Sequence, residues 1–279
     1  MKILACMYGG EHGYNALKIA CKIAKGMGAD IHVLYVFEKI PDRYMAQFEA
    51  TVAGPGTTIA ELIRGTPDMK ENISKKVDEI LGESGCKADV EFVSKKKVAD
   101  AILEEAGDGY DLVVLGSAEF KGIERSIFGS VSYNVAEHAD VPVLVVKRQT
   151  DEIKNVLTCT DGSDEAQLAC VMAAQIAKAV SANVTLMSIA SEYFDSETAT
   201  KCDLEGRNCV QEEVGIEVKS LCKAGEGIKS VREEIIKEAS NHDLVVCGSR
   251  GLSAMERVRM GHVSLAVKEN ADANVLIVR

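Results

Sequence analysis

The sequence predicts an α/β protein made of two repeated, doubly wound domains, each with a five-stranded, mainly parallel sheet. Three observations carry this. Residues 111–147 and 243–279 match in register without a gap: each is an apolar run ending in Gly-Ser, a glycine-punctuated loop, a helix-length segment and a second apolar run closed by a basic residue. Short β-branched runs alternate with helix-period segments in both halves, as βαβ crossovers require. The length, 279 residues, suits two domains, and the boundaries expected from the repeat are 1–147 and 153–279.

In the first half, residues 2–7 read as a strand closed by Tyr8-Gly9-Gly10. Ala16, Leu17, Ile19, Ala20, Ile23 and Ala24 then recur at helical spacing, and residues 30–38 form a second strand. Residues 39–67 hold Pro41, Pro55 and Pro67 and no sustained strand pattern, so they read as a lid or as a loop with a short helix near 57–64. A helix over 68–82, a strand at 88–94, a helix at 97–106, a strand at 111–115, a helix near 126–138 and a strand at 142–147 complete the domain. In the second half, a polar linker at 148–154 leads to a strand at 155–160, which ends in Asp161-Gly162-Ser163. The helix that follows runs to about residue 180, with Asp164 as the expected cap. After a strand at 183–189, residues 190–214 lose the pattern and read as an acidic surface excursion in which the second helix is curtailed or irregular, carrying Cys202 and Cys209. A strand at 215–222 and a helix at 228–240 lead into the second copy of the repeat.

A net charge of −11 and the absence of Trp argue against nucleic-acid binding, and the short Lys95–Lys97 run does not reverse that. No apolar run reaches the length of a membrane span, the first residues read as a strand rather than a signal peptide, and nine cysteines read as free thiols. The expectation is a cytoplasmic protein bound to neither nucleic acid nor membrane. The glycines of the repeat lie thirteen apart, Gly116 with Gly129 and Gly248 with Gly261, as in a loop whose backbone N–H groups close around an anion before a helix. No Ser-His-Asp spacing, H-E-x-x-H or Walker lysine is present, so enzymatic turnover is not expected beyond slow ATP hydrolysis.

With these motifs, the chain resembles the universal stress protein family in its tandem form, across nearly its whole length. The resemblance rests on Asp161-Gly162-Ser163, the Gly116 to Gly129-Ser130 loop, the Gly248-Ser249-Arg250-Gly251 to Gly261 loop, and the terminal VPVLVVK and ANVLIVR strands. It implies a Rossmann-like fold of the adenine nucleotide alpha hydrolase kind, two domains paired through their last strands, and further association into a homodimer. It also implies ATP or a related adenine nucleotide as ligand, accompanied by Mg2+, since some members of the family bind ATP. In the second domain the implied contacts are Asp161, Gly162, Ile189, Gly248, Arg250, Gly251, Gly261, His262 and Val263, where His262 replaces the Ser or Thr of the family pattern. The first domain offers weaker candidates in Gly9, Gly116, Gly129 and Ser130, because Tyr8 stands where the Asp belongs and Glu119 replaces a glycine. The implied role is a nucleotide-dependent stress-response module. Two alternatives stay open: a nucleotide-free scaffold binding an unknown protein partner through residues 39–67 and 190–214, and a slow phosphohydrolase or a thiol-redox protein using Cys202 and Cys209.

Overall fold

The computed structural model describes residues 1–8, 10–38, 67–95, 97–117, 125–148, 151–192, 194–225, 227–252 and 259–279. The short helix expected near 57–64 lies outside these residues. The first half runs β1 (Lys2–Met7), α1 (Gly10–Met27), β2 (Asp30–Glu38), α2 (Pro67–Ser84), β3 (Ala88–Lys95), α3 (Val98–Ala106), β4 (Leu112–Gly116), α4 (Arg125–His138) and β5 (Val143–Val146). The second runs β6 (Asn155–Cys159), α5 (Asp164–Val180), β7 (Asn183–Ala190), α6 (Ser196–Glu213), β8 (Lys219–Ala224), α7 (Gly227–Ala239), β9 (Leu244–Gly248), α8 (His262–Asn270) and β10 (Asn274–Val278). No described helix is long and apolar enough to cross a membrane.

The two sheets are one. Ten strands lie in the order β3-β2-β1-β4-β5-β10-β9-β6-β7-β8, parallel throughout except where β5 meets β10. Because β-strand side chains alternate, Ile3, Ala5 and Met7 join a core beneath α1, α2 and α5, while Leu4, Cys6 and Tyr8 join a second core beneath α3, α4, α7 and α8. Both faces are buried, so the strands read as near-continuous apolar runs rather than as alternations.

The antiparallel β5–β10 pair places Leu144 opposite Leu276, which are equivalent residues of the two repeats. Each repeat would otherwise expose this apolar edge, and pairing removes both edges at once. The basic residue that ends each repeat also works across the seam. Lys147 Nζ donates to the carbonyls of Lys268 (2.6 Å) and Ala271 (3.1 Å) at the end of α8. Arg279 donates to those of Ala136 and Glu137, both at 2.7 Å, at the end of α4. Each repeat thus supplies a cation to the carboxyl end of the other's last helix, where unpaired carbonyls and the helix dipole favour positive charge.

Residues 190–214 depart from expectation. They hold an 18-residue helix, α6, and β8 begins at Lys219 rather than at residue 215. Asp195 starts the helix by accepting from Thr198 N at 2.8 Å. Its buried face is Ala199, Cys202, Asp203, Gly206 and Val210, spaced as a helix requires but small or polar, which hid the period. Asp203 is tolerated there because Arg207 Nε and Ser220 Oγ both donate to it at 2.9 Å.

Candidate functional site

In an open α/β sheet, ligands collect outside the carboxyl ends of the strands where the winding reverses direction. In the second half that reversal lies between β6 and β9, and the residues following these two strands are Asp161 and the Ser249–Leu252 loop.

Gly162 holds φ +84°, a backbone region open chiefly to glycine, and packs over the Cys202 sulfur. The turn it makes brings Ser163 to the start of α5, where Ser163 Oγ accepts from Ala166 N at 3.3 Å. The cap is therefore Ser163, not Asp164, and this frees the carboxylate of Asp161 to face the loop. Asp161 Oδ1 accepts from Ser163 N (3.1 Å) and Ser163 Oγ (2.6 Å), and Oδ2 accepts from Leu252 N at 2.9 Å. Gly251 lies against the same carboxylate, so closely that a side chain there would collide with Oδ2. Arg250 Nη2 meets Glu165 Oε1 at 2.8 Å, pinning the loop to the first turn of α5. Glu165 was not among the residues expected from sequence, and its place in the acidic first turn of a helix is the signal that marks it.

The loop then returns through Gly261, whose N–H donates to the Ser249 carbonyl at 2.8 Å. Gly261 is the N-cap of α8 and supplies no side-chain cap to that helix. Its φ is −70°, and a Cβ there would meet its nearest neighbour, Ser249 O, at an ordinary 3.6 Å. Among the described residues, neither strain nor crowding asks for glycine at 261. His262 is exposed and Val263 half-buried at that end. Residues 253–258 of the loop lie outside the described residues.

Other glycines have a packing reason. A Cβ on Gly248 would lie 2.9 Å from the Glu165 carbonyl carbon, and one on Gly116 would lie 2.6 Å from that of His12. In both repeats this glycine lets the first helix seat directly on β9 or β4, which accounts for it without any ligand. Ile189, expected against an adenine ring, is 7% exposed and packed in the core beneath α7 and α8. It offers no open face.

The first repeat differs at its centre. Tyr8 occupies the position of Asp161, is buried, and donates to the Gly116 carbonyl at 2.7 Å. In the second repeat the corresponding carbonyl, Gly248 O, is satisfied by Ser264 Oγ at 2.6 Å, leaving the Asp161 position free for other work. Burial pushes the Tyr8 hydroxyl well above the usual phenol range, so it stays a neutral donor. Tyr8→Phe is expected to remove this hydrogen bond and cost about 0.5–1.5 kcal/mol, read as a lower denaturation midpoint with an unchanged slope. Gly9 and Glu119 lie outside the described residues, and so does the side chain of Ser130, while Gly129 falls within α4.

Cys202 and Cys209 sit in surroundings that disfavour the thiolate. Burial, joined by Glu205 and Asp161, raises Cys202, and burial with Glu213 and Glu212 raises Cys209. A nucleophilic or metal-binding thiol needs the opposite surroundings.

The family model described as "Universal stress protein family" matches residues 1–147 and again residues 152–279. The chain belongs to the universal stress protein family. A universal stress protein of Methanocaldococcus jannaschii is 30% identical over 152 residues, covering 54% of this chain and 84% of that protein. The crystal structure of a universal stress protein from Archaeoglobus fulgidus covers 100% of this chain and 98% of its own, with a TM-score of 0.71 at 20% identity. A putative universal stress protein from Pseudomonas aeruginosa covers 99% and 92%, with a TM-score of 0.67 at 18% identity. The two solved structures show that the whole tandem architecture is a family fold.

Proposed function

We propose that this tandem universal stress protein is a regulatory module that binds ATP or a related adenine nucleotide in the crevice of its second repeat. The observation that carries the reading is the course of one loop. It touches the Asp161 carboxylate through Gly251 and Leu252, and the uncapped amino end of α8 through Gly261, at the winding reversal of the sheet. A ribose hydroxyl suits Asp161 as acceptor, and phosphate suits the N–H groups of His262 and Val263. Mg2+ is the companion ion expected of a triphosphate. In the first repeat, Tyr8 fills the acceptor position, and that half serves as scaffold.

Asp161 keeps a lone pair on Oδ2 beside the Leu252 N–H, and the Arg250–Glu165 pair lies next to it, so the loop is the element that a bound nucleotide would contact. The same two contacts favour a second reading, in which the loop stays closed and the protein is a nucleotide-free scaffold.

Calorimetric titration of the nucleotide-stripped chain with ATP and Mg2+ decides between them. Saturable binding is expected, weakened about 10- to 100-fold in Asp161→Ala, as for loss of a charged hydrogen-bond partner. Because Asp161 also holds the Ser163 turn, Arg250→Gln is measured beside it and should bind no more weakly than about threefold below wild type if Arg250 serves chiefly to close the loop. Absence of heat from the wild type, with no nucleotide extracted from the purified protein, sinks the nucleotide reading.

A further inference from the structure

We propose that His32, Glu91 and Glu105 bind one divalent transition-metal ion in the first repeat, at a place unrelated to the nucleotide crevice. The three come from three elements. His32 lies on β2, Glu91 on β3 and Glu105 in the last turn of α3. Strand alternation turns His32 and Glu91 to the face that α3 covers, together with Leu34, Val36 and Val93 of the same core. The helix brings Glu105 over them. One ligand atom from each residue lies within 4.8 Å of the others.

Geometry and bonding both point to an ion. His32 Nε2 and Glu91 Oε2 are 3.5 Å apart. That is too long for a good hydrogen bond, but it matches the edge of about 3.3–3.6 Å set by tetrahedral metal–ligand bonds of about 2.0–2.2 Å. His32 Nε2 is buried and has no hydrogen-bond partner among the described residues. A buried ring nitrogen left in that condition is costly, and coordination would satisfy it. Glu105 makes no ion pair among the described residues. Its one bond is from Tyr110 Oη, which donates to Oε1 at 2.8 Å and so orients the carboxylate while leaving lone pairs on both oxygens. Such a hydroxyl behind a carboxylate is the outer contact that metal ligands commonly carry.

The surroundings select the kind of ion. One imidazole and two carboxylates suit Mn2+, Fe2+, Co2+ or Zn2+ better than Mg2+ or Ca2+, which take oxygen ligands alone. The cluster holds no cysteine among the described residues. Lys2, Lys87 and the amino terminus are cations along the adjoining groove, and the Lys2 ammonium rests on the Tyr110 ring, 4.0 Å from the centroid. A groove of about 560 Å3, lined by Lys2, Asp30, His32, Asp89 and Asp111 among others, opens beside His32 at the amino ends of the strands and gives an ion a route in. The nucleotide crevice, by contrast, lies at the carboxyl ends in the other repeat.

Mn2+ is the probe of choice, because it favours carboxylate and imidazole over sulfur and its free-ion signal reports binding directly. The metal-free full chain, without nucleotide, is titrated with Mn2+ while the free-ion electron paramagnetic resonance signal is followed. One saturable Mn2+ per chain is expected, displaced by Zn2+ and not by an equal concentration of Mg2+. Pulsed measurements on the bound ion should show coupling to a histidine nitrogen. Glu105→Gln and His32→Ala should each weaken binding by about tenfold or more, with the nitrogen coupling lost in His32→Ala, and Tyr110→Phe should weaken it by up to about tenfold. Asp161→Ala should leave it unchanged, which separates this site from the nucleotide crevice. Circular dichroism checks folding, and Glu105→Gln carries the test if His32→Ala does not fold. No saturable Mn2+, unaltered affinity in Glu105→Gln, or a bound ion without nitrogen coupling overturns the proposal.

Discussion

Gly26→Ala should destabilise the protein by about 2–3 kcal/mol, although alanine is the better helix former by about 1 kcal/mol. Gly26 on α1 faces Ala179 on α5, the equivalent residue of the other repeat, where the two helices touch across the pseudo-twofold axis. A methyl group at 26 would lie 2.5 Å from the Ala179 carbonyl carbon and 2.6 Å from its Cα. These are backbone atoms, so no side chain can rotate away and the helices themselves must separate. That separation loosens the core shared by Ala20, Ile23, Ala173 and Ile176, the same core that both halves of the sheet bury. The control is Gly82→Ala on α2, where a Cβ meets nothing within 4 Å and helix propensity alone should stabilise by a few tenths to about 1 kcal/mol. Urea midpoints of the two variants should move in opposite directions. A neutral Gly26→Ala would mean that the repeats are held by the β5–β10 seam alone.

Lys268→Met should raise stability near neutral pH, and the gain should shrink in alkali. Lys268 is 5% exposed on α8, its Nζ has no hydrogen-bond partner among the described residues, and it lies 3.1 Å from the centroid of the Tyr133 ring. Burial is the main cause that lowers its pKa from 10.5 to about 8, opposed by Glu137 and Glu269. The sign follows from the protons bound in each state. Below about pH 8 the lysine is charged both folded and unfolded, and the folded protein bears the full desolvation penalty. Between about 8 and 10.5 the unfolded chain holds the extra proton, so wild-type stability gains from this group as pH rises. Methionine has no such dependence. The difference between the two proteins should narrow by about 1–2 kcal/mol from about pH 7 to about pH 10, the lower end reflecting residual solvent screening. Comparing the pair cancels the tyrosines and thiols that titrate in the same range. A difference that stays constant with pH would show that the ring and nearby carboxylates already compensate the charge.

Much of this protein is legible in its sequence, and the reasons are particular. Strands buried on both faces must be continuous apolar runs, so β1, β4, β5, β9 and β10 stand out in LVVLG, VLVV, LVVCG and their like. Gly261 could be singled out from the repeat, because glycines before a helix mark a crevice whatever fills it, while Asp161 and Gly251 came from the resemblance to the family. What escaped was anything decided by a partner far along the chain. The full length and regularity of helix α6 were missed because its buried face is mostly Ala, Cys, Asp and Gly beside Val210, and the polar member is acceptable only once Ser220 of β8 donates to it. Gly116 and Gly248 read as ligand-binding glycines until the helix backbones seated on them are seen. The pairing of Arg250 with Glu165 spans 85 residues, and nothing local announces it.

By itself the sequence determined the repeat, the parallel α/β class and the apolar last strands, because all of these are periodic properties that each segment must satisfy alone. Only the tertiary structure decided that the last strands pair antiparallel with Leu144 opposite Leu276, that Lys147 and Arg279 cap each other's helices, that Tyr8 does the work of Ser264, and that His32 meets two glutamates. Each of those depends on where a second, distant backbone comes to rest, and a one-dimensional pattern contains the need for a partner but not its address.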